Sequence, residues 1–404
     1  MRYAQAAERG GFSFLFTPDF PILQGNLEHG PVLNIMEPML QLAAISQATR
    51  RIGLIATGTT SFQEPFTTAR QFKALDVMSH GRVGWNAIPS YEPEAFANYG
   101  QPVPQGNAKY ERLHEVIQIT QALWASWGRE AGQPDQNTGR FADMAHIKPV
   151  DLSGRHVGAR GPLQIPPSEQ GQPVIFMPLA SGRGLSGLGM YANGILGMPN
   201  TVEDSRNQRE IVRKAAAQAG RDPDEMKFVP FVGFGLGATK REALDRRRAL
   251  DERAGLAQRL SQLSMLLGIR LPMDDADAPL TDRQLGGMRG HPAAPKSAQA
   301  VQLAQEGWSP RDIIAHGVLD TSPGLVGTPE EAADFLQHWL DAGVCDGFIL
   351  VPDNQQDSID AFADQVVPIL RQRGLRAPDY AGTTLRDHLG VPDQLGLDRR
   401  LSVG

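Results

Sequence analysis

The stretch RIGLIATGTTSFQEPFTTARQFKALDVMSHGRVGWNAIPS, Arg51 to Ser90, decides the fold. Ile52 to Thr57 is an apolar run of the kind a buried strand uses, and it opens into a polar Gly/Thr/Ser loop. Phe66, Phe72, Leu75 and Met78 then recur at helical spacing. A second apolar run, Val83 to Ile88, ends at Pro89-Ser90. Strand, loop, helix and strand in this order make one parallel α/β unit. Its polar residues fall just past the strand ends, where such folds keep their active sites.

The same alternation repeats on both sides. Further apolar runs lie at Phe12 to Phe16, Val174 to Met177, Gly194 to Met198, Phe228 to Gly233 and Gly347 to Val351. Helical patterns at Pro38 to Arg50, Glu64 to Met78, Tyr110 to Trp127, Arg183 to Ala192, Val202 to Ala219 and Ala332 to Ala342 separate most of them. Seven strands are counted; a closed (β/α)8 barrel needs eight. Two long insertions interrupt the pattern. Gly128 to Gln172 carries hairpin-like text (DLSGRHVGARGPLQIP). Ala238 to Asp346 holds one long expected helix (Thr239 to Leu267), an acidic loop (Pro272 to Pro279) and a polar segment around His291. Within it, Ala276 to Thr321 reads as a mobile lid, because loops this long are commonly functional.

Composition narrows the classes. With 404 residues and 41% hydrophobic content, the chain suits one large globular domain, 1–404, with the two insertions at about 128–172 and 238–346. Net charge is −6 with no Lys/Arg block, which argues against a nucleic-acid or anionic-membrane surface. The single cysteine, Cys345, excludes a disulfide framework and any cysteine zinc site. No apolar run reaches membrane-span length and no signal-peptide core is present, so a cytoplasmic location is expected. The histidines show no metal-ligand spacing, and Asp274, Asp275 and Asp277 lack the spacing of a calcium loop.

The long ordered set Ile52-Gly53-Leu54, Thr57, Thr59-Thr60, Pro65, Ala69-Arg70, Leu75-Asp76, Ser79, Gly81-Arg82 and Trp85-Asn86 resembles the bacterial-luciferase superfamily of flavin-dependent monooxygenases. The similarity is to the branch containing nitrilotriacetate and dibenzothiophene-sulfone monooxygenases. VGTPEE (Val326 to Glu331), DGF (Asp346 to Phe348), Val366 to Leu375 and Tyr380 to Leu389 extend the resemblance over essentially the whole chain. It implies a luciferase-like TIM barrel and a two-component monooxygenase using reduced FMN and dioxygen. Reduced flavin would come from a separate NAD(P)H:flavin reductase, and the chain would form a homodimer or homotetramer. Rival readings are a deazaflavin-dependent oxidoreductase of the same superfamily and a non-catalytic paralogue. Members of the branch carry an extra N-terminal segment with the first strand, whereas Ala4 to Gly10 here matches their first helix. Either the true start lies upstream of Met1 or the barrel is incomplete, and the chain as given is expected to be poorly soluble, because an open barrel leaves two edges unpaired.

The resemblance also implies site residues. Asp19 and Thr57 close two strands and would lie beside the flavin; read on their own they are a turn residue after Pro18 and a β-branched strand end. Asn86 ends the next strand, followed by Ser90. Tyr110 opens a helix near the flavin phosphate, or serves only as a half-buried anchor. Ser181 would bind the phosphate at a helix N-terminus, within a stretch (Gly182 to Gly187) that also matches the loose G-x-G-x-x-G pattern; the alternative is an ordinary N-cap. The chain departs from the branch at Pro89, Gly106, Met177 and Leu179, which the resemblance places in the cofactor pocket.

Overall fold

The computed structural model describes residues 1–394 apart from 24–35, 133, 272, 273, 275, 292, 293, 355 and 356. Pro272 and Asp275 of the expected acidic loop therefore lie outside the described residues. The chain runs α1 (Arg2–Arg9), β1 (Phe14–Thr17), α2 (Pro38–Ala48), β2 (Gly53–Thr59), α3 (Pro65–Met78), β3 (Val83–Ile88), α4 (Pro93–Asn98) and α5 (Ala108–Trp124). The first insertion holds β4 (Leu152–Ser153) and β5 (Gly158–Ala159), which pair antiparallel as the expected hairpin. Next come β6 (Val174–Pro178), α6 (Arg183–Tyr191), β7 (Gly194–Gly197), α7 (Val202–Gln218) and β8 (Lys227–Leu236). The second insertion contributes α8 (Lys240–Arg253), α9 (Leu256–Leu267), α10 (Asp282–Gly287), α11 (Ser297–Gln305), α12 (Pro310–Ala315) and β9 (Gly324–Gly327). The chain ends through α13 (Pro329–Asp341), β10 (Ile349–Pro352), α14 (Asp357–Ala361), a π turn (Phe362–Val366), α15 (Val367–Gln372) and α16 (Leu385–Leu389).

The main sheet is parallel in the order β1-β2-β3-β6-β7-β8-β10, with β9 added to the far end of β8. All seven expected strands are present within a few residues. Side chains alternate between two apolar layers, as the two-residue period of a strand demands. Leu54, Ala56, Trp85, Ile175, Ile195 and Phe228 meet the helices. Ile55, Val174, Phe176, Leu196, Val229 and Ile349 fill the barrel interior. There Phe14 packs on Phe176 at 5.3 Å and Phe16 on Phe231 at 5.9 Å between ring centroids. Each such buried ring contributes about 1.5–3 kcal/mol. Leu385 of α16 closes the floor: a Cβ at Gly53 would lie 2.5 Å from its Cδ1, and one at Gly84 3.1 Å from its Cδ2. The two glycines on this face make room for the plug.

Among the described residues β1 and β10 form no ladder with each other. Between them lies a cavity of about 320 Å³, lined by Phe14, Phe16, Ile349 and Leu350 and backed by Ala7 and Phe362. The barrel is thus nearly closed, with seven strands and one gap.

Three expectations are corrected. Thr239 to Leu267 is two helices, because Gly255 takes φ +97 and breaks the run. Ala276 to Thr321 is not one long loop but carries three short helices, α10, α11 and α12, joined by loops. α9, α11 and α12 bury Leu260, Leu263, Leu267, Ala300, Ile313 and Ile314 in a core of their own. β9 escaped the reading, since four residues of GLVG give no strand period. Of the described acidic residues in this region, Asp277 pairs with Arg248 and with Arg311. No group of His, Cys, Asp and Glu among the described residues could hold a metal ion, and no helix among them is long and apolar enough to cross a membrane.

Candidate functional site

The C-terminal ends of β1, β2, β3 and β6 share one rim of the barrel; Asp19, Thr57, Asn86 and Ser181 lie on it or in the loop that follows, and Tyr110 in the first turn of α5. The parallel strands put them there; their polar chemistry then stitches neighbouring strands together. Thr57 on β2 and Asn86 on β3 are opposite each other in register, each 4% exposed. The Asn86 side-chain amide donates to the Thr57 hydroxyl at 3.0 Å. Asn86 Oδ1 is buried with no hydrogen-bond partner. One register step further out, the hydroxyls of Thr59 and Ser90 are 2.9 Å apart. The backbone N–H of Ser61 donates to Thr59 Oγ1, and that of Ser90 donates to Ser61 Oγ at 3.0 Å. Pro89 therefore costs no bond here, because Ser90 and Ser61 complete the network around it.

Tyr110 and Ser181 meet across α6. Tyr110 lies in the first turn of α5, and a Cβ at Gly184 would come within 2.9 Å of its ring and 2.8 Å of Ala180. A close backbone approach of this kind needs glycine. Ser181 is exposed and is not the helix cap; that position falls to Gly182, with φ +55 and no side-chain cap bond. Its carbonyl instead accepts the Gly184 N–H at 3.2 Å. The Lys109 ammonium sits 4.3 Å from the Tyr91 ring centroid and 5.1 Å from that of Tyr110. Sequence reasoning missed this cation–π arrangement; the only signal was a Lys beside Tyr110 in a loop poor in charge.

Asp19 follows the end of β1. Burial raises its carboxyl above the usual range, and the Glu37 carboxylate adds to the shift. The same two acids, after burial, raise the Tyr99 hydroxyl, so Asp19, Glu37 and Tyr99 form one patch. Tyr99 stacks on Phe62 at 4.0 Å and 10°. This patch occupies the strand ends adjoining the Thr57–Asn86 pair.

Of the four departures, Met177 and Leu179 do not line the barrel interior. Both belong to the layer between sheet and helices, with Ile175, Leu188 and Tyr191. Phe176, one residue before Met177, takes the inward alternation. Gly106 has φ +57 and open space around it.

A model of the luciferase-like monooxygenases matches residues 1–346. The chain belongs to this family. It is 33% identical to N-acetyl-S-(2-succino)cysteine monooxygenase of Bacillus subtilis (strain 168), over 96% of this chain and 88% of that protein. Identity is also 33% to dibenzothiophene-sulfone monooxygenase of Rhodococcus erythropolis, with the same shares covered. Among solved structures, the EDTA monooxygenase of Chelativorans sp. BNC1 superposes with a TM-score of 0.81 at 29% identity, covering 98% of this chain and 92% of that one. The chain is a flavin-dependent monooxygenase of this family.

The rim fits a flavin by two observations. Asn86 Oδ1 is an unpaired buried acceptor at the mouth, suited to a ring N–H. The Gly182–Gly184 turn brings backbone N–H groups and the Ser181 hydroxyl to the start of α6, with Lys109 and Tyr110 alongside, suited to a phosphate.

Proposed function

We propose that this chain is the oxygenase component of a two-component system that takes reduced FMN from a separate NAD(P)H:flavin reductase and oxidises a small organic substrate with dioxygen. The observation that carries the reading is the Thr57–Asn86 pair with its unpaired acceptor at the mouth of a luciferase-like barrel. In this reading Asn86 and Thr57 orient the flavin ring, Asp19 borders it, and Ser181 with Tyr110 holds the phosphate. Flavin supplies the oxygen chemistry; the protein supplies orientation and exclusion of water. That division of labour explains why no acid–base pair stands out on the rim.

The test is an anaerobic titration with reduced FMN and, separately, a reduced deazaflavin, followed by addition of oxygen. Reduced FMN is expected to bind in the micromolar range and to consume one oxygen per flavin. Tighter binding of the deazaflavin, or no binding of either, overturns the reading.

A further inference from the structure

We propose that the mouth carries an aromatic shelf, Phe62 and Tyr99, that selects a neutral ring-bearing substrate and rejects polycarboxylates; this rests on the functional reading above. Three consecutive strand ends build the shelf. Phe62 follows β2, and Tyr99 follows α4 just beyond β3. The Asn98 side chain donates to the carbonyl of Pro21, beyond β1, at 2.8 Å and ties the three together. Phe62 is sandwiched between Tyr99, stacked at 4.0 Å, and the edge of Phe96 at 5.0 Å. Phe96 is fully buried, so the stack is anchored from below, while Tyr99 keeps half of its surface open. A fixed, open aromatic face is a platform for another flat apolar group.

Charge around the shelf acts against anions. Asp19 and Glu37 lie close enough to raise the Tyr99 hydroxyl. Glu37 is held as the cap of α2, accepting the Leu40 N–H at 2.7 Å. The neighbouring cations are engaged. Arg112 donates to the carbonyls of Thr60 and Gln63 and to Glu64. Lys109 lies over Tyr91 and Tyr110, on the α6 side. Among the described residues, a carboxylate laid on Tyr99 would meet two acids, with these two cations committed elsewhere, whereas a neutral ring would lie on the open aromatic face.

The experiment is equilibrium dialysis of dibenzothiophene sulfone and of nitrilotriacetate against the full chain, with and without reduced FMN, under anaerobic conditions. The neutral tricycle is expected to bind at least about tenfold tighter than nitrilotriacetate. Tyr99→Ala should weaken it about tenfold, Tyr99→Phe should restore it, and reduced FMN affinity should stay within about twofold in both variants. Equal or tighter binding of nitrilotriacetate overturns the proposal, as does a tricycle that fails to bind or ignores Tyr99→Ala. If reduced FMN itself does not bind, the functional reading falls, and dialysis on the flavin-free chain still decides the shelf.

Discussion

Asn86 on β3 donates its side-chain amide to the Thr57 hydroxyl on β2 at 3.0 Å, and the oxygen of that same amide is buried without a partner. A satisfied donor and an orphaned acceptor on one side chain pull stability and function apart. The Thr57 bond fixes the amide, so the acceptor cannot turn away from the mouth. Leaving a buried acceptor unpaired costs about 1–3 kcal/mol.

Asn86→Leu removes the orphan at similar volume. The flavin-free variant is expected to stay within about 1 kcal/mol of the parent, because relief of the orphan offsets the Thr57 bond it loses, while reduced FMN binds about ten to a hundred times more weakly, the value of one buried hydrogen bond. Urea unfolding and an anaerobic flavin titration on the same preparation read both. A variant that loses stability and keeps its flavin affinity would refute the assignment of Asn86 to the cofactor.

The phosphate end is tested at α6. Gly184→Ala places a methyl 2.9 Å from the Tyr110 ring and must push it aside. Alanine favours the helix by about 1 kcal/mol, which offsets part of the strain. Stability should therefore change little while reduced FMN affinity falls at least about tenfold. Ser181→Asp should abolish binding, because a carboxylate repels the phosphate and takes its donors. Flavin retention on gel filtration distinguishes the three proteins, and undiminished retention by Ser181→Asp would place the phosphate elsewhere.

Much of this was legible because buried parallel strands are apolar on both faces and stand out as runs. Val83 to Ile88 matched to the residue for that reason. The site residues were legible through the order of motifs, not through any one of them. Other features carry no one-dimensional signal. Whether Met177 faces the flavin or the helices depends on the phase of β6, which its uniformly apolar run VIFM does not set. The Phe62–Tyr99 stack joins residues 37 apart that only the strand order brings together. Ala276 to Thr321 read as loop because its small-residue helices, such as SAQAVQLAQ, depend on mutual packing for their stability.

Buried charge beneath the barrel gives a pH signature. Lys73 on α3 is fully buried, donates to the Gly171 carbonyl and neighbours Asp76 and Arg386. Burial lowers its ammonium from 10.5 to about 8. Between those values the unfolded chain holds the proton and the folded chain releases it, so stability rises with pH across that window. Lys73→Met should lose this rise. It should also cost about 1–3 kcal/mol at pH 7, because the Gly171 carbonyl loses its donor and Asp76 keeps only Arg386 as a buried cation. Urea unfolding at pH 7, 9 and 10.5 reads both effects, and parallel pH profiles for the two proteins would contradict the burial of Lys73 as a charged group.

The second insertion joins the barrel sheet through the β8–β9 ladder, and polar links within the insertion tie α8 and α11 to the approach to β9. Arg247 of α8 donates to both oxygens of Asp320, at 3.0 and 2.9 Å. Lys296 donates to the carbonyls of Gly317 and Ser322 and so pins the approach to β9. Arg247 is 9% exposed, and its stem lies against Gly235 near the end of β8, within reach of the mouth. Loosening these links frees the approach to β9 locally while the α9, α11 and α12 core stays folded. Arg247→Met keeps most of the buried stem and removes the charge pair. The expected outcome is faster hydrogen exchange in the Gly317–Ser322 segment, unchanged exchange in the α9 and α11 core, and reduced FMN affinity within about twofold of the parent. Water admitted at the mouth should then raise the hydrogen peroxide released per flavin oxidised, which a peroxide assay measures directly. Unchanged exchange together with unchanged peroxide yield would show that the insertion does not seal the site.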